Sequence, residues 1–286
     1  SKSEKCVLES SEDIVIISTD RTTAKIKTQP SEDFPVIPKI SDGVSITLEP
    51  QSFVKGLRSV WYSAAVTSMK PEISSIYVYY DENESLVFVA TDSFRLAEKQ
   101  VKIKKIKEFS AVLIPFKNVA EIIHMLENVT ETVELMVSQN QISFLWNSTY
   151  LVSRVVDSSF PDYKQLISKE TKTEVVILKQ DFFQALKLAH VFSDSFHQIT
   201  MKIVPGDKLF EITTRNNDIG ENKNNLDAVL KGEDVTMSFN YKYITDCLQS
   251  ISTDSLSLSF NGPGRPLVVR GISDSTFTYI VMPMNK

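Results

Sequence analysis

Glycine is scarce, with 8 residues among 286. A phosphate-cradling loop needs several glycines at fixed spacing, and none of the usual Gly-rich patterns occurs. Cysteine is rarer still. Cys6 and Cys247 stand far apart and fit no metal spacing, so they are read as reduced thiols of a cytoplasmic protein. The three histidines, His124, His190 and His197, have no acidic or cysteine partners at ligand spacing. Neither a Gly-x-Ser-x-Gly elbow nor a His-Glu-x-x-His pair is present. The paired acids Asp81/Glu82 and Glu131/Glu134 fall in expected turns and strand rims, where solvation accounts for them. No apolar run approaches the ~20 residues of a membrane span, and the N-terminus lacks the apolar core of a signal peptide. These absences lead us to expect no catalysis, no metal, no cofactor and no membrane partner.

What is present describes an ordinary globular chain: 42% hydrophobic and 23% charged residues, in a length that suits two or three domains. A net charge of −5 argues against a generally basic coat. It leaves room for one basic face, because only a contacted surface need be positive.

The chain also contains copies of itself. Phe34-Pro35 recurs as Phe160-Pro161, 126 residues on. Phe53-Val54-Lys55-Gly56-Leu57 is matched by Phe182-Phe183-Gln184-Ala185-Leu186 at 129, and Ile114 to Val119 is echoed by Ser238 to Tyr243 at 124 or 125. Leu86, Val89 and Thr91 correspond to Leu209, Ile212 and Thr214 at 123. Four unrelated pieces agreeing on one period indicate a repeat of about 125 residues. Residues 1–46 match only the end of such a unit, residues 47–172 form a whole one and residues 173–286 another.

Hydrophobic periodicity predicts strands over 5–9, 13–18 and 24–28, with a Pro-containing connector over 29–43. In the middle unit it predicts a strand at 45–48, a helix over 51–65, a hairpin at 76–80 and 85–90, and a basic strand over 99–107. A strand at 111–115, a helix at 118–126 and strands at 131–137, 141–146 and 149–156 follow. The last unit repeats this order, with helices at 180–192 and 241–251 and strands at 173–178, 199–204, 208–214, 226–230, 234–239, 255–260, 266–271 and 275–282. The fold class is α+β: repeated domains, each with two helices packed on antiparallel sheets.

One stretch differs between the copies. Val89 to Ala97, V-A-T-D-S-F-R-L-A, ends a strand and turns at Asp92, whose side chain suits a turn cap. Phe94, Arg95 and Leu96 then follow and are expected to stand exposed together. The counterpart, Ile212 to Asp218, keeps the strand and the threonine but loses the apolar pair. A feature in one copy only points to a binding wall and not to folding.

V-A-T-D-S-F-R-L-A resembles V-A-T-D-G-H-R-L-A, the central motif of the bacterial beta sliding clamp, processivity subunit of the replicative DNA polymerase. Phe160-Pro161-Asp162-Tyr163 resembles that family's F-P-D-Y element, Ile114-Pro115-Phe116-Lys117 its V-P-R-K segment, and Tyr279 to Met284 its Y-V-V-M-P-M ending. The similarity runs from about residue 5 to the end and implies repeated DNA-clamp domains. The family has three, so residues 1–46 would be the C-terminal remnant of a first clamp domain, ahead of the middle clamp domain and the C-terminal clamp domain.

The resemblance further implies a head-to-tail homodimer closing into a ring. Duplex DNA would pass through without sequence being read, held by basic side chains on phosphates. Lys55, Arg58, Lys117, Lys187, Lys242 and Lys70 are the positions it assigns. Replicative DNA polymerase, clamp-loader and repair proteins would dock short apolar motifs in a pocket between the last two domains. Carried over by position, that pocket comprises Thr91, Ser93, Phe94, Arg95, Leu96, Pro161, Gln165, Leu166, Phe196, Asn240, Tyr243, Pro266, Ile280, Val281 and Met282. Aliphatic and methionine walls suit leucine or phenylalanine anchors. Ser93 and Phe94 replace the family's glycine and histidine, Gln165 replaces an arginine, and Asn285-Lys286 replaces the usual ending. The alternative from another class is a peptide-binding scaffold that does not close a ring. Leu96→Asp, or loss of Met282 to Lys286, is expected to abolish docking and leave folding intact.

Overall fold

The computed structural model describes the chain except residues 1–4, 31, 33, 36–38, 41, 68, 107, 168–169 and 285–286. Pro38 of the expected connector, Lys107 of the basic strand and the Asn285-Lys286 ending therefore lie outside the described residues. The chain divides into two compact units, Ser1–Ser41 and Asp42–Lys286.

The first unit is an antiparallel three-stranded sheet of β1 (Val7–Ser11), β2 (Ile14–Ser18) and β3 (Thr23–Lys27), in that order. The alternation of Ala24 to Thr28 predicts a half-buried strand. Instead β1 and β3 are exposed throughout, and only β2 is half-buried. Alternation there reports strand formation, since a sheet of three short strands buries little by itself.

The second unit starts with β4 (Val44–Leu48), α1 (Pro50–Val60), β5 (Ser75–Tyr80), β6 (Ser85–Thr91), β7 (Arg95–Lys102), β8 (Val112–Pro115) and α2 (Phe116–Leu126). It continues with β9 (Val133–Val137), β10 (Gln141–Trp146) and β11 (Thr149–Arg154). After a linker come β12 (Thr173–Leu178), α3 (Lys179–Val191), β13 (Gln198–Val204), β14 (Leu209–Asn216), β15 (Gly220–Asn225) and β16 (Val229–Gly232). The chain closes with β17 (Val235–Asn240), α4 (Tyr241–Cys247), β18 (Ser255–Phe260), β19 (Leu267–Gly271) and β20 (Asp274–Val281). β15 is a strand that the periodicity misses: Gly-Glu-Asn-Lys-Asn-Asn has no apolar residue to alternate. It forms because β14 offers it a partner edge, from Glu211↔Asn225 to Asn216↔Gly220.

The strands form two four-stranded sheets, β11-β10-β9-β4 and β15-β14-β13-β17, and a nine-stranded one, β16-β12-β18-β19-β20-β7-β6-β5-β8. The nine-stranded sheet is a composite. β20, near the end of the chain, pairs antiparallel with β7 from Phe277↔Lys99 to Val281↔Arg95, so the two repeats share one hydrogen-bonded sheet. At this seam Lys99 is buried, with its Nζ 2.6 Å from Thr276 Oγ1 and 3.7 Å from Asp274.

The helices lie on the core side. α1 buries Phe53, Val54, Leu57 and Val60, each contributing about 1.5–3 kcal/mol when fully withdrawn from water. Phe53 meets Phe88 of β6 edge-on at 5.2 Å and Phe144 of β10 at 5.3 Å. Phe182 and Leu186 of α3 occupy the same place in the second copy, both fully buried. Burial also corrects the sequence register of the hairpin. Leu86, Phe88 and Ala90 point into the main core, as do Phe210 and Ile212. Leu86 therefore answers Phe210, 124 residues on, and not Leu209. A one-residue slip puts side chains on the opposite face of a strand, which is why the sequence match at 123 misleads.

Gly56 allows this packing. A Cβ there would lie 2.5 Å from Cζ of Phe88, and the Phe88 ring is fully buried. Helix propensity favours alanine over glycine by about 1 kcal/mol, but overpacking costs about 1–3 kcal/mol. Gly56→Ala is expected to lower stability by up to about 2 kcal/mol, measured by urea unfolding. An unchanged or raised midpoint would show that the ring has room to move.

Candidate functional site

The β6–β7 turn is built by local chemistry. Asp92 Oδ1 accepts hydrogen bonds from the amides of Phe94, at 2.9 Å, and Arg95, at 3.0 Å, so it caps the turn. Thr91 Oγ1 donates to Arg95 O at 2.7 Å and accepts from the amide of Ser93 at 3.1 Å. Ser93 has φ +79°, the left-handed region where a Cβ is penalised. The related motif has glycine at this position, and the turn geometry gives the reason.

Phe94, Arg95 and Leu96 are not exposed together. Phe94 is 61% exposed, but Leu96 is 2% exposed. Leu96 sits in a second, smaller core with Val87, Val89, Ile280 and Tyr163, which carries Phe160 and Ile167 packed against it. Arg95 opens β7 rather than leaving it, so side chains alternate across the sheet from there. Ile280 and Val281 are buried as well. Three of the fifteen assigned docking residues are thus core: Leu96 and Ile280 in the smaller cluster, and Val281 in the main core on the other face of the sheet.

The other assigned residues gather around the seam. The Met282 amide donates to Phe94 O at 2.8 Å, placing the C-terminal segment beside the turn. Leu267 pairs with Val281, which puts Pro266 next to that segment. Tyr243 stacks on the Arg95 guanidinium at 4.6 Å. Asn240 caps α4 by accepting from the Lys242 amide at 2.9 Å. The exposed Phe196 is joined to this end because the Tyr241 amide donates to His197 O at 2.9 Å. From the linker, Pro161, Gln165 and Leu166 are exposed. Their segment is pinned by Tyr163, whose hydroxyl donates to Glu98 at 2.5 Å and lies 2.9 Å from Tyr79 Oη, and by Phe160, stacked on Tyr77 at 5.0 Å. Burial, and then Glu98, push the Tyr163 phenol pKa far up, so it stays a donor.

Arg95 is the most heavily engaged side chain here. Its Nε binds Asp92 at 2.9 Å, Nη1 binds Asp246 at 2.5 Å and Nη2 binds Tyr62 O at 2.6 Å. Burial acts against its charge, but Tyr279, Asp246 and Asp92 outweigh that and hold the pKa above its ordinary value. Asp246 and Tyr62 escape the sequence reading. The spacing of Tyr243 and Asp246, three residues apart on one helix, was the available signal, since both then share a face.

The assigned basic residues lie elsewhere. Lys55 and Arg58 on α1, Lys117 on α2, Lys187 on α3, Lys242 on α4 and Lys70 in the loop after α1 are all exposed. The helices form a row: α2 packs beside α1, α1 beside the turn Leu248–Ser250 that follows α4, and α4 beside α3. Tyr62 Oη bonds Ser250 Oγ at 3.0 Å, and Ser250 Oγ bonds Ser59 O at 3.0 Å, tying the two helix pairs together. Arg58 is paired with Glu127, and Lys187 Nζ rests 4.3 Å over the Phe183 ring. Among the described residues, no group of three or more His, Cys, Asp or Glu is arranged to hold a metal ion, and no helix is long and apolar enough to cross a membrane.

Two substitutions separate surface from support. Leu96→Asp, expected from sequence to spare folding, now falls on a buried position. An unpaired carboxylate there costs several kcal/mol, so global unfolding of the variant is expected by circular dichroism, whereas Phe94→Ala should keep the wild-type melting temperature. Ser93→Gly relieves the positive φ and should gain about 0.5–1 kcal/mol in denaturant unfolding; a loss would place the strain elsewhere.

Comparison with known proteins supplies the family. Residues 47–162 match the DNA polymerase III beta subunit, central domain, and residues 164–285 match its C-terminal domain. The beta sliding clamp of Staphylococcus aureus is 24% identical over 254 residues, covering 88% of this chain and 67% of that protein. The chain thus spans about two thirds of that relative's length. The crystal structure of the DNA polymerase III beta subunit from Thermotoga maritima superposes with a TM-score of 0.90 at 27% identity, covering 98% of this chain and 76% of that one. A sliding clamp from Pseudomonas aeruginosa bound to griselimycin shares the fold, with a TM-score of 0.91 at 20% identity over 98% and 75% of the two chains. With two consecutive domain matches and the seam that joins them, the chain belongs to the DNA polymerase III beta subunits, the beta sliding clamps, a family of non-catalytic processivity factors.

Proposed function

We propose that the chain acts on duplex DNA as a sliding clamp, encircling it without reading sequence. In doing so it tethers the replicative polymerase and docks clamp-loader and repair proteins through short peptides. Residues 1–46 are assigned to the end of a first clamp domain, 47–172 to the middle domain and 173–286 to the last. The observation that carries the reading is the β7–β20 seam, which joins two clamp repeats through one sheet and lines their helices in a single row. Lys55, Arg58, Lys117, Lys187 and Lys242 project from that row, as phosphate contacts require, and Lys70 from the adjoining loop.

The same seam supports head-to-tail assembly into a homodimeric ring. β15 is the counterpart of β7 in the last repeat and stands at the edge of its sheet. Beside it, α3 exposes Leu188 and Val191. An open strand edge next to exposed aliphatic residues suits the joining of another copy. Docking is assigned to the surface around the exposed Phe94, Leu166 and Phe196 and the half-buried Met282.

Topology provides the test. Protein assembled on a nicked circular plasmid by a clamp loader should co-elute with the DNA in gel filtration, and cutting the plasmid once should release it. Retention on the linear product would sink the encircling reading. A strict monomer at micromolar concentration that still binds griselimycin would favour the peptide-binding scaffold.

A further inference from the structure

Positional resemblance places Arg95 in the docking wall. We infer that Arg95 is a positioning residue instead: together with Asp246 it forms a clasp that holds the β6–β7 turn against α4 and so fixes the separation of the two sides of the docking surface. This rests on the docking reading above.

A guanidinium offers five N–H donors in one plane and two faces. Here one edge meets Asp92, the far nitrogens meet Asp246 and Tyr62 O, and a face is covered by the Tyr243 ring. The side chain is 12% exposed. Its donors are spent on the turn, on the backbone carbonyl that follows α1 and on α4. The groups it joins are the two sides of the docking surface. Asp92 builds the turn that displays Phe94, and Tyr243 with Asp246 belongs to the helix capped by Asn240. Tyr279 of β20 reinforces the connection by donating to Tyr243 O at 2.7 Å.

Asp246 gives the clasp a handle on the helix row. Its side chain is 41% exposed, and it also lines a depression between α3 and α4 with Lys179, Phe183 and Gln249. It is thus part of the helix row, and its hydrogen bond to Arg95 is its link to the turn side of the docking surface. A change at Asp246 therefore reaches the turn through the position of Arg95.

Griselimycin, held by the Pseudomonas aeruginosa clamp, is the probe, measured by isothermal titration on the whole chain. Asp246→Asn keeps the volume and removes the charge; Arg95→Lys keeps the charge and removes the fork. Each is expected to weaken binding by about tenfold, and the double variant by no more than either single one, as for residues acting as one unit. Phe94→Ala, a contact residue, should add its own loss to that of Asp246→Asn. Melting curves of all variants identify any that are not folded at the titration temperature, and Asp246→Glu then replaces Asp246→Asn, with the same expectation. Wild-type affinity in the Asp246 variants, with a loss in Arg95→Lys alone, would overturn the clasp and make Arg95 a ligand contact. Additive losses would overturn it as well. Absence of binding to the unmodified chain would refute the docking reading itself.

Discussion

The antiparallel pairing of β7 with β20 is the contact on which the remaining architecture depends. It takes the last strand of the chain and adds it to a sheet begun nearly two hundred residues earlier in the middle repeat. Backbone hydrogen bonds make the join specific in register, and a slip of one residue would turn Leu96 and Ile280 out of the core they share. The helices of both repeats then fall into one row as a consequence of strand pairing, and the basic residues they carry are exposed.

The seam also explains why the candidate docking surface exists. Its residues come from the turn before β7, from the segment after β20, from the linker and from the start of α4. None of these is a surface by itself. The linker is held down by the Tyr163–Glu98 and Phe160–Tyr77 contacts, and the turn is held by Asp92 and Arg95. Buried Leu96 and Ile280 form a hydrophobic floor beneath them, while Val281 points into the main core on the other face of the sheet.

The two copies of the repeat show how one hairpin serves two ends. In the middle copy the outer face of the sheet is apolar, with Val87, Val89 and Leu96 sealed under the linker. In the last copy the corresponding face carries Glu211, Thr213 and Arg215, and Glu211 pairs with Lys223 at 2.6 Å. The inner faces remain alike because both must pack against a helix; the outer faces are free to diverge because only one is covered.

Much of this was legible in the chain itself. The repeat period, the helix stripes at Phe53–Leu57 and Phe182–Leu186, and the motif pair V-A-T-D-S-F-R-L-A and F-P-D-Y are local patterns, set by periodicity and turn chemistry. They carried the fold class and the family. What the sequence could not decide was which side of a strand each residue takes when the strand's start is uncertain by a few positions, so Leu96 read as surface and proved to be core. Nor could it supply β15, whose polar residues form a strand only because β14 is beside them. The partnership of Arg95 with Asp246 spans 151 residues and depends on β20 closing the sheet; only tertiary structure brings those charges together.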